Sequence, residues 1–271
     1  MMRSLYTAAS GMIAQQTNVD VISNNLANVN STGYKTSTAE FKSLLYQTLQ
    51  SRSTSANGDY KPIGAQVGTG ARTASITTDF SQGAAQATSN NFGFAIEGEG
   101  LFAVQGANGE TYYTRNGNFQ MAVSVDGFML CTQEGYPVLD SDGMTIEFDS
   151  SYTTSKITAT SDGTLCYPDE NNNLQSLGIR IGVYQVTNPA GMESVGSTMY
   201  KVTAASGEAV EETANPELKR SKLMQGYLEA SNVNVADEMV NLIVAQRAYE
   251  MNSKAIQTSD DMLGQANQLK R

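Results

Sequence analysis

The opening stretch of this chain constrains the fold more than any other. Residues 4–29 hold one charged side chain, Asp20, while apolar or small residues recur at Leu5, Ala8, Met12, Val19, Ile22, Leu26 and Val29. The steps of three and four make a heptad series, interrupted at Gln15, and predict a helix with one apolar seam. Asn30-Ser31-Thr32-Gly33 supplies its stop, because Gly takes the left-handed conformation that closes a helix without steric penalty. The remaining helix surface is Thr, Ser, Asn and Gln, with Asn24, Asn25 and Asn28 near its end. An exposed helix of a monomer normally carries Lys and Glu there. Uncharged amides and hydroxyls let a helix meet its own copies without like-charge repulsion and exchange hydrogen bonds across a packed interface.

A second helix is predicted from about residue 234 to the end. Asn234 is a plausible N-cap, Asp237 and Glu238 sit in the first turn, and Lys270-Arg271 close the chain, all placements that the helix dipole favours. One apolar stripe is Val235, Met239, Leu242, Tyr249, Ile256 and Leu263, and a second is Val244, Ala248, Met251, Ala255 and Met262. Together they are wider than a two-helix seam needs. A subunit repeating about an axis would cover the excess, since a heterologous interface that does not close builds a helical filament. A two-helix extension docked on the rest of a monomer satisfies the same pattern.

The middle is of another kind. Asn57-Gly58, Asn108-Gly109, Asn116-Gly117, Asp126-Gly127, Asp142-Gly143 and Asp162-Gly163 punctuate it, and such dipeptides favour tight hairpin turns. Strand-like runs lie between them at residues 101–105, 119–125, 144–148 and 179–186. Residues 36–70 begin helix-like, with Phe41, Leu44, Leu45 and Leu49, and turn polar over 51–59. The fold class is therefore α+β: paired, coiled-coil-like N- and C-terminal α-helices with a central antiparallel β domain. The expected divisions are 1–30, 31–70, 71–233 and 234–271.

Composition removes several functions. A net charge of -10 and a pI near 4.5 oppose binding to nucleic acid. No run reaches the roughly 18 apolar residues of a membrane span, and the N-terminus lacks the apolar core of a cleaved signal; by composition alone the chain reads as cytoplasmic. There is no histidine, which removes the commonest general base and metal ligand. Cys131 and Cys166 exclude a disulfide framework; they could form one bridge, but read as two small buried or half-buried side chains. The glycines of residues 64–70 lack the Lys-Ser/Thr end of a phosphate loop. The oxygen-rich run at 169–173 lacks calcium-loop spacing and reads as a solvated loop. Adjacent carboxylates at Glu211-Glu212 and Asp260-Asp261 point apart rather than pair. No catalytic residue, cofactor or metal is expected. Arg115 reads either as a subunit contact or as a structural arginine bonding backbone carbonyls. Arg247 has Glu250 or Asp20 as conceivable partners.

Three ordered motifs resemble the flagellar basal-body rod and hook protein family. They are Asn24-Asn25-Leu26-Ala27-Asn28 with Thr32-Gly33-Tyr34-Lys35; Gly98-Glu99-Gly100-Leu101-Phe102 with Tyr113-Thr114-Arg115-Asn116-Gly117-Asn118-Phe119; and Gln225-Gly226-Tyr227 through Val235, followed by Glu238-Met239-Val240-Asn241 and Gln246-Arg247-Ala248-Tyr249-Glu250. Within the family, Arg3-Ser4-Leu5-Tyr6-Thr7-Ala8 and the insert at residues 46–62 favour the distal rod over the proximal rod or hook, although the insert is Ser-rich and not closely matched. The resemblance implies a non-enzymatic subunit that assembles on its own copies, with other rod proteins and the hook protein as partners, and with ring proteins around it where there are two membranes. It also implies export, unfolded and without a cleaved signal peptide, through the type III apparatus, which overrides the cytoplasmic reading. The helices would form an inner tube around the export channel. Their assembly residues would be Leu5, Met12, Val19, Asn24, Asn25, Leu26 and Asn28 on the first, and Val235, Met239, Leu242, Ile243, Arg247, Tyr249 and Ile256 on the second. Tyr113, Thr114, Arg115, Gly117 and Phe119 would form the family core motif. Phe41, Leu44, Leu45 and Tyr46 would belong to a stretch locking neighbouring subunits. Such helices cannot bury their faces alone and are expected to be disordered in an isolated monomer.

Overall fold

A computed structural model describes residues 2–50, 65–124, 127–150, 152–169, 173–216 and 218–268. The chain divides into two compact units, one of residues 1–26, 37–77 and 234–271, the other of residues 27–36 and 78–233.

The first unit contains both long helices, α1 (Met2–Ala27) and α2 (Val235–Gln268). Asn234 caps α2 as expected, its side-chain oxygen accepting the Ala236 N–H at 3.1 Å. The helices run antiparallel without a slip of register. Asn25 reaches Glu238, Gly11 abuts Asn252, and Ser4 bonds Ser259. Ala8, Ala14, Val21 and Ile22 of α1 and Ala245 of α2 are buried. The seam of α2 is displaced from the expected stripe. It passes through Ala245, Asn252 and Ser259, with Leu242 and Ile256 half-buried, whereas Val235, Met239, Ile243 and Tyr249 stand in solvent. Side-chain size accounts for the shift. A Cβ on Gly11 would lie 2.9 Å from the Asn252 amide, so the missing side chain of Gly11 makes the room that Asn252 occupies in the seam.

Residues 36–50 do not continue as helix. Ser37–Ser43 pairs with Ala71–Thr78, and Tyr46–Gln50 pairs with Ala65–Gly68. The spacing of Phe41, Leu44, Leu45 and Leu49 suits a helix, but pairing with residues far along the chain satisfies the backbone as a ribbon. The polar stretch at 51–59, with Asn57-Gly58, lies outside the described residues.

The second unit is built of antiparallel strands. Its largest sheet runs in the order Glu193–Gly196, Met199–Lys201, Thr111–Thr114, Leu101–Gln105, Val183–Val186, Ala209–Glu211. Two three-stranded sheets and two strand pairs surround it. Phe94, Ile96, Phe102, Phe119, Leu130, Ile146, Ile157, Leu165 and Ile181 fill the core, with Phe102 and Phe119 edge to face at 5.1 Å. The run at 101–105 is the strand expected; that at 119–125 is strand over Gln120–Val123 among the described residues, and that at 144–148 is displaced to Glu147–Asp149. The run at 179–186 breaks in two. Leu174–Arg180 and Val183–Val186 join different sheets, and the chain passes between them at Gly182, where a Cβ would lie 2.6 Å from the Asp140 carbonyl. Asn116-Gly117 is not a hairpin turn, because Thr111–Thr114 and Gln120–Val123 on either side of it join different sheets; glycine is needed there since the Phe94 carbonyl lies 1.8 Å from where a Gly117 Cβ would sit. Cys131 and Cys166 are buried free thiols.

Candidate functional site

The three motifs that run through the sequence meet at one buried point of the β unit. α1 gives way after Ala27 to a turn in which Gly33 adopts φ +68. A Cβ there would lie 2.5 Å from the Asn116 nitrogen, so both conformation and crowding require glycine. The Gly33 N–H donates to the Glu229 carbonyl at 2.8 Å, and Thr32 Oγ1 donates to Asn116 Oδ1 at 3.0 Å. Two residues on, the Lys35 ammonium is wholly buried and donates to Glu229 Oε1 at 2.6 Å and to the Ser81 carbonyl at 2.7 Å. Arg115, also buried, places Nη1 3.0 Å from Glu229 Oε2 and donates to the carbonyls of Ile96 and Gly98. The Gly83 N–H completes the shell of Glu229 at 2.8 Å. Two cations thus share one carboxylate out of water. Burial pulls the Lys35 pKa below its ordinary value, Glu229 opposes that, and the Arg115 charge adds to it. Removing one member of such a cluster costs about 3–5 kcal/mol, because an uncompensated charge stays buried.

Of the two readings of Arg115, the carbonyl-bonding arginine is the arrangement found. The rest of its motif is equally internal. Tyr113 packs edge to face on Tyr184 at 5.7 Å, Thr114 Oγ1 donates to the Thr198 carbonyl at 2.9 Å, and Gly117 and Phe119 are buried. Lys35 entered the sequence reading only as part of a motif, and Glu229 was not singled out. The available signal was an ionisable residue inside each of the three motifs.

The first unit presents a different surface. On α1, Leu5, Met12, Val19 and Leu26 are half-buried, Asn24 is exposed and Asn25 is buried; Asn28, half-buried, lies past the end of the helix and in the second unit. The Asn25 amide donates to the Ser37 carbonyl at 2.8 Å and accepts the Ser37 N–H at 3.0 Å, as a paired strand would. On α2, Met239, Ile243 and Val244 are 53–63% exposed, and Arg247 pairs with Glu250 at 2.9 Å in solvent. On the ribbon, Phe41, Leu45, Tyr46 and Leu49 are exposed and Leu44 is half-buried. Glu211 and Glu212 diverge, one bonding Thr213 and the other Ser221. Among the described residues no group of acidic or cysteine side chains is placed to hold a metal. Glu170, Asn171 and Asn172 lie outside them.

A buried junction built from both end segments of the β unit, in a chain whose two long helices leave apolar faces uncovered, defines a structural protein of assembly type. Three family models match the chain: Flagella basal body rod protein over residues 5–35, Flagellar hook protein FlgE/F/G D1 domain over 95–167, and Flagellar basal body rod FlgEFG protein C-terminal over 224–269. The chain is 45% identical to the flagellar basal-body rod protein FlgG of Borreliella burgdorferi, with all of both chains covered. It is 41% identical to the protein of that name from Caulobacter vibrioides, over 99% of this chain and 100% of the relative. It is 37% identical to that of Bacillus subtilis, again with both covered in full. The chain belongs to the family of FlgG-like flagellar basal-body rod proteins, and is a structural rod subunit of the flagellar basal body.

Proposed function

We propose that this chain builds the distal part of the rod by self-assembly, as a stiff hollow shaft that transmits torque to the hook and encloses the export channel. The observation that carries this is the uncovered apolar surface of the first unit. Tyr6 and Ile13 on α1, Met239, Ile243, Val244 and Met251 on α2, and Leu45 and Tyr46 on the ribbon are all more than half exposed. Exposed apolar surface on this scale marks an interaction site, and a two-stranded ribbon is marginal in water without a neighbour. Copies of the chain are the occupants, with Leu5, Met12, Val19, Leu26, Val235, Met239, Leu242, Ile243, Tyr249 and Ile256 in the helical contacts. Phe41, Leu44, Leu45 and Tyr46 lock adjacent subunits. The flanking partners are other rod proteins and the hook protein, and ring proteins where two membranes are crossed. The polar remainder of α1 faces the channel, where weak charge lets an unfolded chain slide past. The subunit itself reaches the rod through the type III apparatus without a cleaved signal, and no catalytic step belongs to it.

Immunogold labelling of isolated hook–basal-body particles tests the proposal. Gold on the distal, straight half of the rod is the expected result. Gold on the proximal rod or the hook moves the part within the family, and unlabelled particles that carry other rod proteins refute it.

A further inference from the structure

The β unit is closed by segments from both ends of its chain. Residues 27–36 arrive from one side, and Lys222–Gln225 and Tyr227–Glu229 from the other. Phe94–Glu97, which carries Phe94, Ala95 and Ile96 into the core, has Lys222–Gln225 as its sheet partner. The Gln225 side chain ties three further points, accepting the Ala159 N–H and donating to the carbonyls of Asn91 and Ile157. Ala85–Ala87 is paired by Tyr227–Glu229. The chain then delivers Glu229, the carboxylate bonded to both buried cations. Asp79 acts on Lys35 without a direct bond, and its oxygens accept from Ser81. Before Glu229 arrives, Lys35 and Arg115 would have to give up water against backbone carbonyls alone, which is the most costly state for a buried charge.

We infer that Glu229 is a completion switch: with Lys35 and Arg115 charged, closure of the whole β unit is strongly disfavoured until this residue docks, so a chain whose C-terminal segment is still being synthesised or threaded favours the open unit. The inference concerns the order of folding and stands apart from where in the rod the folded subunit is placed. It differs from a local clip in its reach. A clip would order only what it touches, whereas a completion switch governs strands far from it, such as Leu101–Gln105 and Gly127–Cys131.

Amide hydrogen exchange on the full-length chain separates the two. In E229Q, exchange in residues 94–105 and 127–131 is expected to accelerate on the order of 100-fold or more, the factor equivalent to a broken buried ion pair. The triple variant K35M/R115M/E229M, which leaves no buried charge, is expected to keep the protection of those strands. Faster exchange confined to residues 33–36, 81–85 and 227–230 in E229Q would overturn the inference, as would a triple variant as open as E229Q.

Discussion

Gly33→Ala is the sharpest single test of the junction. Gly33 sits at φ +68, where an alanine is disfavoured by roughly 1–2 kcal/mol. Its new Cβ would also stand 2.5 Å from the Asn116 nitrogen, 2.6 Å from the Arg115 carbonyl carbon and 2.8 Å from Asn116 Cα. All three are backbone atoms, so a side-chain rotation cannot relieve the overlap. The turn must move away, and with it go the Gly33 N–H bond to the Glu229 carbonyl, worth about 1 kcal/mol, and the placement of Lys35 two residues on. The summed loss is about 3–5 kcal/mol, a large part of a typical domain stability of about 5–15 kcal/mol. Gly109→Ala is the matched control. Its φ is +74, but nothing lies within 4 Å of the built Cβ, so only the conformational cost of about 1–2 kcal/mol remains. Urea denaturation of both full-length variants, followed by far-ultraviolet circular dichroism, reads the difference. Equal midpoints for the two variants would refute the claim that crowding at Arg115 and Asn116, rather than backbone conformation, makes glycine obligatory at 33.

Lys35 should give stability a pH dependence. Its folded pKa lies below 10.5, so between the two values the unfolded chain holds a proton that the folded chain has released, and stability rises with pH there. Tyr184 and Tyr200, pushed up to about 12 by burial, act oppositely above pH 10; subtracting the K35M profile cancels them, and a difference that falls with pH would contradict the assignment. Asn25→Ala removes both side-chain bonds to Ser37 and should cost about 1–3 kcal/mol, seen as faster exchange of the Ser37 amide; unchanged exchange would refute it. Ile243→Ser, at 55% exposed, should shift monomer stability by no more than about 0.5 kcal/mol yet abolish rod formation in complemented cells, and motile cells would refute its place in the interface. In an isolated monomer, residues 2–27 and 235–268 should exchange far faster than the β core, and strong protection there would count against helices that depend on neighbours.

The sequence made the helices legible because their signals are local. A heptad period and an Asn cap lie within a few residues of what they specify, and Asn234 does what its type predicts; Gly33 does not, since α1 ends at Ala27 and the left-handed glycine serves the turn that follows. Direction was less legible. Periodicity finds an apolar stripe, but which face meets α1 depends on how closely two backbones approach, and there the small residues Gly11 and Ala245 prevail over Met239 and Ile243. The ribbon is hidden from spacing because the strand partners of residues 37–50 lie at 65–78, and a helical spacing of four apolar residues says nothing about a partner supplied later. The junction was hidden for the same reason. Lys35 and Glu229 are 194 positions apart, and Arg115 and Glu229 are 114 apart, so each looked like an isolated charge within a motif.

Those distances also explain why the motifs occur where they do. A β unit whose own strands close the sheet needs no charge at its centre, and burying three ionised groups is rarely the most stable way to fill a core. Here the carboxylate comes from the segment that leads into α2, one cation from the segment that follows α1, and the other from the loop after Thr111–Thr114. Hydrophobic contact alone would accept either end segment in several positions, since apolar surfaces are not directional. A carboxylate with two cations and one backbone N–H as partners accepts one position, and a misplacement strands a charge. The junction therefore holds the two end segments of the β unit in one place. The helical contacts proposed between copies need a comparable precision of register, because a one-residue slip turns an apolar stripe by about 100°. On this reasoning the sparsely charged α1 and the charged core are parts of one solution, with specificity placed inside the subunit so that α1 can do without charge.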